Sequence, residues 1–181
     1  VCWAARDAAL RHVPLTVVHM VNAAVPMYPQ FPLSSGELAR EEGEARRVLE
    51  QAVKIAEDAV PAGRTIPVTG ELRRSPPVPT LIDMSEDAEM LVLGSHGRGA
   101  VTRMLLGSVT SNVVRGARCP VAVVRDEDPL MPHPAQAPVL VGVDGSPASE
   151  PAVTIAVDGA ARRGVDVQAL HAWSDVHVYE L

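Results

Sequence analysis

The chain has 181 residues, of which 47% are apolar and 21% charged, and its formal net charge is −6 at pH 7. This composition is that of a globular protein and excludes a disordered or fibrous chain. The negative charge and the 3% aromatic content argue against a protein that binds duplex or single-stranded nucleic acid. The two cysteines, Cys2 and Cys119, are too few for a disulfide scaffold and are typical of a reducing, cytoplasmic compartment.

Short apolar runs alternate with amphipathic segments along the whole chain. The segments predicted as helices are Val1–His12, Glu37–Val60, Pro79–Ser85, Ser108–Gly116 and Ala148–Arg163, and the runs predicted as strands are Leu15–Val21, Thr65–Leu72, Met90–Gly94, Val121–Val124, Val139–Val143 and Val165–Ala172. The strands are apolar on both faces, so the pattern predicts an α/β protein with a parallel sheet covered by helices on each side. We find no membrane or export signal, because prolines interrupt the longest uncharged stretch and charges occupy the N-terminus.

The beginning of the chain is repeated near its end. When Val1 is placed on Val153, the two segments share identical residues at matching positions: Val1 and Val153, Ala4 and Ala156, Ala8 and Ala160, Ala9 and Ala161, Arg11 and Arg163, Val13 and Val165, and His19 and His171. So many coincidences indicate an internal repeat. We therefore expect a domain at residues 1–125, a linker at 126–138, and the beginning of a second domain at 139–181, with the chain starting and stopping inside a domain.

One segment carries a pattern typical of anion binding. A buried strand leads into Gly94, Gly97 and Gly99, and Gly107 with Ser108 opens the next helix. Closely spaced glycines let the backbone approach a ligand, and the free amides at a helix N-terminus favour an anion. We expect Ser108 to cap that helix. The spacing fits neither a Walker loop nor a Rossmann dinucleotide fingerprint.

The pattern resembles the universal stress protein family in its ATP-binding branch, and most closely the tandem-domain actinobacterial members. The resemblance rests on residues 93–99, 106–109 and 118–124, together with Val139–Pro147, which looks like the opening strand and turn of a new copy. It implies an open, five-stranded parallel sheet with helices on both faces, Rossmann-like and similar to the adenine nucleotide alpha hydrolases. It also implies an ATP-binding regulatory protein of the stress response.

The resemblance also assigns roles to particular residues. It implies that the nucleotide lies over the carboxyl edge of the sheet, with Mg²⁺ as an accompanying ion, and that Met20 and Val21 flank the base. A homodimer through Val121–Val124 is implied as well. The implied nucleotide-binding residues are Gly94, Gly97, Arg98, Gly99, Gly107, Ser108, Val109, Gly142 and Asp144.

In the family, a central first strand lies beside the strand that carries the glycine loop, and the first domain here starts at its first helix. One hypothesis is that Val139–Asp144 inserts there, from the same chain or from a neighbouring one, because a lost central strand leaves unpaired backbone groups. The alternative is a fragment with an incomplete pocket.

Two other functions stay open. One is a dimerising scaffold that retains the loop without binding nucleotide. The other is a slow ATP-hydrolysing enzyme related to the ATP pyrophosphatases, although Val141–Ser146 lacks their Ser-Gly-Gly-x-Asp-Ser motif and we find no catalytic constellation. Arg73 and Arg74 are candidates for binding an anionic partner. Cys119 is expected to be buried and inert.

Overall fold

The computed structural model describes residues 1–21, 35–95, 106–125 and 136–172. The chain divides into two compact units, Val1–Asp126 and Glu127–Leu181, which are described separately. The elements of the first unit are α1 (Cys2–Arg11), β1 (Leu15–Val21), α2 (Ser35–Ala59), β2 (Val68–Arg74), α3 (Pro77–Met84), β3 (Leu91–Gly94), α4 (Ser108–Gly116) and β4 (Val121–Val124). Those of the second are β5 (Val139–Val143), α5 (Glu150–Arg163) and β6 (Val167–His171).

Helix α1 buries the alanine stripe that its sequence predicts. Ala4, Ala5, Ala8 and Ala9 are all buried. Val1, the N-cap residue, precedes the helix and is 54% exposed, so it does not belong to this buried stripe. The helix ends at His12, whose φ of 58° lies in the left-handed region and turns the chain towards Pro14.

Strands β1 and β2 are parallel, with Leu15 beside Val68 and Val21 beside Arg74. Their helix-covered face packs on a small apolar core. This core consists of Ala8, Ala9 and Ile66 with Val13, Leu15, Val60 and Val68 around them. Helix α2 lies so close to β2 that a Cβ at Gly70 would meet side chains of the helix. Helix α2 buries Ala45, Leu49 and Ala56 on its apolar face.

Strands β3 and β4 form a second parallel pair, with Leu91 beside Val121 and Gly94 beside Val124. Buried Ser85 fixes the loop between α4 and β4, because its hydroxyl donates to the carbonyl of Ile82 and accepts the N–H of Arg118 at 2.8 Å. Arg11 forms an ion pair with Asp7 of the same helix at 2.6 Å and a second one with Glu89, just before β3, at 3.0 Å; the second links α1 to the β3 region. Burial alone would lower the pKa of Arg11, but its hydrogen bonds to both carboxylates raise it above the ordinary value.

The second unit is a single strand–helix–strand motif. Strand β5 leads through a 3₁₀ turn at Pro147–Ser149 into α5, and β6 returns parallel to β5. Val141 packs against α5, whose Ala156 and Ala160 are buried. The helix ends at Gly164, with φ of 66°, one repeat length after His12.

The predicted α/β class with parallel strands is confirmed. The predicted five-stranded sheet is divided, however, since the described strands form three separate pairs, β1–β2, β3–β4 and β5–β6. No helix in the described ranges has both the length and the apolarity needed to cross a membrane.

Candidate functional site

The candidate site lies where β3 ends and α4 begins. Gly94 is the last residue of β3, and the N–H of Ser95 donates to the carbonyl of Val124 at 2.9 Å, which prolongs the strand pairing. The carbonyl of Ser95 accepts the N–H of Gly107 at 2.9 Å. This backbone hydrogen bond joins Ser95 to Gly107, so the two ends of the glycine motif lie side by side.

A buried threonine joins the first turn of α4 to the end of β3. The hydroxyl of Thr110 donates to the carbonyl of Gly94 at 2.9 Å, and its side chain is buried. The sequence analysis missed both Thr110 and the buried Ser95. The available signal was a hydroxyl residue in the first turn of a helix that follows a glycine motif, where it can bond to nearby backbone.

The N-terminus of α4 presents backbone amides without a side-chain cap. Gly107 is the N-cap residue, and its carbonyl accepts the first helical hydrogen bond from Ser111 at 2.9 Å. The prediction that Ser108 caps the helix is wrong, because Ser108 is already the first helical residue. The amides of Ser108, Val109 and Thr110 come before that of Ser111, which is the first helical donor, so they have no acceptor within the helix. Such amides, at the positive end of the helix dipole, attract an anion.

The remaining predicted residues of the loop lie outside the described residues. These are Gly97, Arg98 and Gly99. The residues expected to flank the base, Met20 and Val21, end β1 at the carboxyl edge of the first strand pair; Met20 is half-buried and Val21 is buried. Their role towards a base stays a prediction.

The second unit holds the two other predicted residues. Gly142 lies within β5, and Asp144 follows the strand. The Asp144 carboxylate accepts the N–H of Ser146 at 2.9 Å and its hydroxyl at 2.7 Å, across a turn in which Gly145 has φ of 78°. These bonds, first that of the Ser146 hydroxyl, lower the pKa of Asp144 below its ordinary value. The turn therefore holds an exposed carboxylate in one orientation and in its charged form.

Strand β5 is the segment whose insertion into the first domain the sequence analysis considered. In the structure it pairs with β6, from Val139 beside Val167 to Val143 beside His171. One edge of this strand is thus already occupied within its own unit.

The arginines weighed as anion-binding groups have carboxylate partners. Arg73 pairs with Glu71 at 2.6 Å and Arg74 with Glu42 at 3.0 Å, so their charges are already neutralised. Cys119 is half-buried, not fully buried as expected. Within the parts of the chain that the structure describes, no group of three or more His, Cys, Asp or Glu side chains is arranged to hold a metal ion.

Comparison with known proteins identifies the family. The sequence model of the universal stress protein family matches residues 1–125 and 137–181. The chain belongs to the universal stress protein family.

Curated relatives extend the similarity over nearly the full chain. Universal stress protein Rv2005c of Mycobacterium tuberculosis is 54% identical over 180 residues, which is 99% of this chain and 61% of the relative. Universal stress protein Rv2623 of the same species is 51% identical over 178 residues, or 98% of this chain and 60% of the relative. The chain thus spans about three-fifths of the length of these relatives.

Solved structures agree with the fold. A universal stress protein from Archaeoglobus fulgidus DSM 4304 matches with a TM-score of 0.72 and 20% identity, over 96% of this chain and 62% of that one. The universal stress protein UspA from Lactobacillus plantarum matches with a TM-score of 0.54 and 28% identity, over 67% of this chain and 84% of that one.

Proposed function

We propose that this universal stress protein binds an adenine nucleotide, ATP with Mg²⁺, and acts as a regulatory protein in the cytoplasm. The observation that carries the proposal is the uncapped N-terminus of α4 beside the end of β3. Its free amides form a cradle for phosphate oxygens at the carboxyl edge of a parallel strand pair, which is where open α/β sheets bind ligands.

Three contacts give this cradle a fixed shape before a ligand arrives. The Gly107 N–H bonds to the Ser95 carbonyl, the Thr110 hydroxyl bonds to the Gly94 carbonyl, and the Ser111 N–H bonds to the Gly107 carbonyl. A preorganised site loses less conformational entropy on binding than one that must be assembled. In the proposed complex the amides of Ser108 and Val109 donate to the phosphates, and Gly97, Arg98 and Gly99 stay expected binding residues.

The residues of the cradle suit binding better than catalysis. Ser108 and Thr110 lie at the cradle, and among the described residues no basic side chain is hydrogen-bonded to either hydroxyl. The segment from Leu91 to Thr110 also contains no lysine of the kind that contacts the transferring phosphate in P-loop NTPases and protein kinases. We therefore propose a binding protein that signals through its bound state. Prolonged incubation with ATP followed by product analysis distinguishes it from a slow hydrolase.

Within the second unit, we propose the turn at Asp144 as a contact for the ribose hydroxyls of a nucleotide. An exposed carboxylate that stays charged accepts hydrogen bonds from a pair of hydroxyls. The expected homodimer through Val121–Val124 belongs to the same proposal, since this short strand contains no charged residue that would oppose pairing.

Nucleotide titration of a matched pair of variants tests the binding proposal. Thr110→Val removes the hydroxyl that bonds to Gly94 while it keeps the shape of the side chain. Thr154→Val is the control, because the Thr154 hydroxyl makes the same kind of bond, to the Glu150 carbonyl at 3.2 Å, on exposed α5. We expect Thr110→Val to weaken ATP binding by up to about tenfold, because the end of β3 and the start of α4 are no longer held together before the nucleotide binds, and Thr154→Val to leave it unchanged. A wild-type chain that binds no ATP at millimolar concentration supports the scaffold instead.

A further inference from the structure

The last residue of β6 bonds through its side chain to the last residue of β5. Ring nitrogen Nδ1 of His171 lies 2.7 Å from the carbonyl oxygen of Val143, and the two residues are register partners in the parallel pair. A carbonyl oxygen can only accept a hydrogen bond, so Nδ1 carries a proton and acts as the donor. The imidazole therefore ties the two strands together at their carboxyl ends, where β5 leads into the turn at Asp144.

The bonded carbonyl belongs to the peptide group that joins Val143 to Asp144. A peptide group is planar, so the direction of the Val143 C=O also sets the direction of the Asp144 N–H and the position of its Cα. On the other side of this residue, the Asp144 carboxylate accepts the N–H of Ser146 at 2.9 Å and its hydroxyl at 2.7 Å. His171 thus fixes the backbone that enters the turn, and Ser146 fixes the side chain within it.

Gly145 gives this turn its shape and also its freedom. Its φ of 78° lies in the left-handed region, which glycine adopts without strain. Glycine also restricts the backbone less than any other residue, so Asp144 depends on other contacts for a fixed orientation. The bonds made by His171 and Ser146 act on the two sides of Asp144 and supply these contacts.

The internal repeat places a second histidine at the same position. His19 matches His171 at the offset that also aligns the alanines of α1 with those of α5. It lies in β1, directly before Met20 and Val21, which are the residues expected to flank the base. Both copies therefore have an imidazole, whose ring can donate a hydrogen bond, near the carboxyl end of matching strands.

We propose that His171 is a positioning residue for the ribose contact of Asp144. Its ring N–H holds the Val143 carbonyl, the peptide group holds the backbone of Asp144, and the carboxylate then meets the ribose hydroxyls in a fixed orientation. A group that is oriented before the ligand arrives loses less conformational entropy on binding. The inference rests on the proposed function, which assigns Asp144 to the ribose, and it adds the residue that orients this carboxylate.

NMR of the full chain without nucleotide tests the positioning by itself. Long-range ¹H–¹⁵N spectra show which ring nitrogen of His171 carries the proton, and we expect Nδ1. His171→Leu removes the donor, whereas the side-chain amide of His171→Asn places an N–H close to the position of Nδ1. We expect His171→Leu to raise the pKa of Asp144, because the bonds of its turn form less often, and His171→Asn to keep it low. A neutral ring protonated only on Nε2, or an Asp144 pKa that His171→Leu does not move, overturns the proposal.

Gln168→Leu is the matched control for these spectra. It also replaces a polar side chain of β6 by leucine, but Gln168 lies beside Leu140, near the other end of the strand pair. We expect the pKa of Asp144 to stay at its wild-type value in this variant. Equal shifts in Gln168→Leu and His171→Leu would mean that strand pairing in general holds the turn, and this result also overturns the proposal.

Titration with two nucleotides tests the link to the ribose. The probes are ATP and 2′,3′-dideoxy-ATP, each with Mg²⁺, and the second lacks both ribose hydroxyls. We expect His171→Leu to weaken ATP binding about threefold to tenfold and to leave binding of the dideoxy nucleotide unchanged, while His171→Asn restores ATP binding. Equal losses for both nucleotides would mean that His171 only stabilises the fold, which overturns the proposal. If the wild type binds neither nucleotide, the proposed function fails, and the spectra of the free chain still decide whether His171 orients Asp144.

Discussion

The contact between α2 and β2 gives a quantitative prediction at Gly70. A Cβ at this position would lie 2.9 Å from Cγ2 of Val53, and 3.2 and 3.3 Å from Cγ and Cδ1 of Leu49. Optimal carbon–carbon contacts are about 3.5–4.0 Å, so the methyl group of Gly70→Ala overlaps both side chains. Val53 has little freedom to move away, because a β-branched residue in a helix has one strongly preferred rotamer.

The expected loss of stability follows from two opposing terms. Overpacking of a well-packed site costs about 1–3 kcal/mol. Replacing glycine by alanine also lowers the conformational entropy of the unfolded chain, which stabilises the folded state by about 0.4–1 kcal/mol. We therefore expect Gly70→Ala to lower the free energy of unfolding by about 1–2 kcal/mol, measured by urea denaturation followed by circular dichroism.

Two variants of α2 make this prediction specific. Gly43→Ala places the same methyl group in the same helix where nothing lies within 4 Å, and it should raise the free energy of unfolding by up to about 1 kcal/mol. Adding Val53→Ala to Gly70→Ala should cost less than the sum of the two single changes, because the smaller residue makes room for the new methyl group. A Gly70→Ala chain as stable as the wild type would refute the packing of α2 on β2 described above.

Two further predictions concern charged groups. Asp144 should titrate below the ordinary aspartate pKa of about 3.9, and Ser146→Ala should raise the pKa of Asp144. The hydrogen bonds of Asp144 to Ser146 stabilise the folded wild-type chain above about pH 4, and this stabilisation is lost as the pH falls through the lowered pKa of the folded state. Carboxyl ¹³C NMR measures both midpoints, and an Asp144 midpoint that Ser146→Ala does not move contradicts the hydrogen-bonded turn. Asp7→Ala should cost about 1–2 kcal/mol and Glu89→Ala less than about 1 kcal/mol, because Arg11 is 13% exposed and holds the more buried Asp7 at the shorter distance. Urea denaturation compares them, and equal costs would mean that burial does not set the strength of these ion pairs.

Apolar runs bounded by prolines or glycines were located accurately from the sequence. Strands β1, β4 and β5 and helix α4 have the predicted bounds, since Pro14, Pro120 and Pro138 leave little choice of where each strand starts. Strand β2 begins three residues later than predicted: Ile66 is buried as part of the core, but Pro67 has no N–H for the ladder. It also extends two residues further, to Arg74, because Glu71 and Glu42 pair with its arginines.

The candidate site was predicted in outline but not in detail. Glycine spacing indicated the loop and the start of α4, because these positions depend on local backbone geometry. The bond between Thr110 and Gly94 joins residues from two different elements, and no local pattern encodes it. The assignment of the cap to Ser108 failed for a related reason: both Gly107 and Ser108 are acceptable N-cap residues, and the bond from Ser111 to Gly107 decides between them.

Amide NMR of the full, ¹⁵N-labelled chain during titration with ATP and Mg²⁺ tests the central claim most directly. If the N-terminus of α4 holds the phosphates, the N–H resonances of Ser108 and Val109 shift downfield and saturate with the same dissociation constant as the overall binding. Amides in the last turn of α2, which the proposal does not place at the nucleotide, serve as the internal reference. Binding that leaves Ser108 and Val109 unmoved while other amides shift, or no shift at millimolar ATP, would contradict the proposed site.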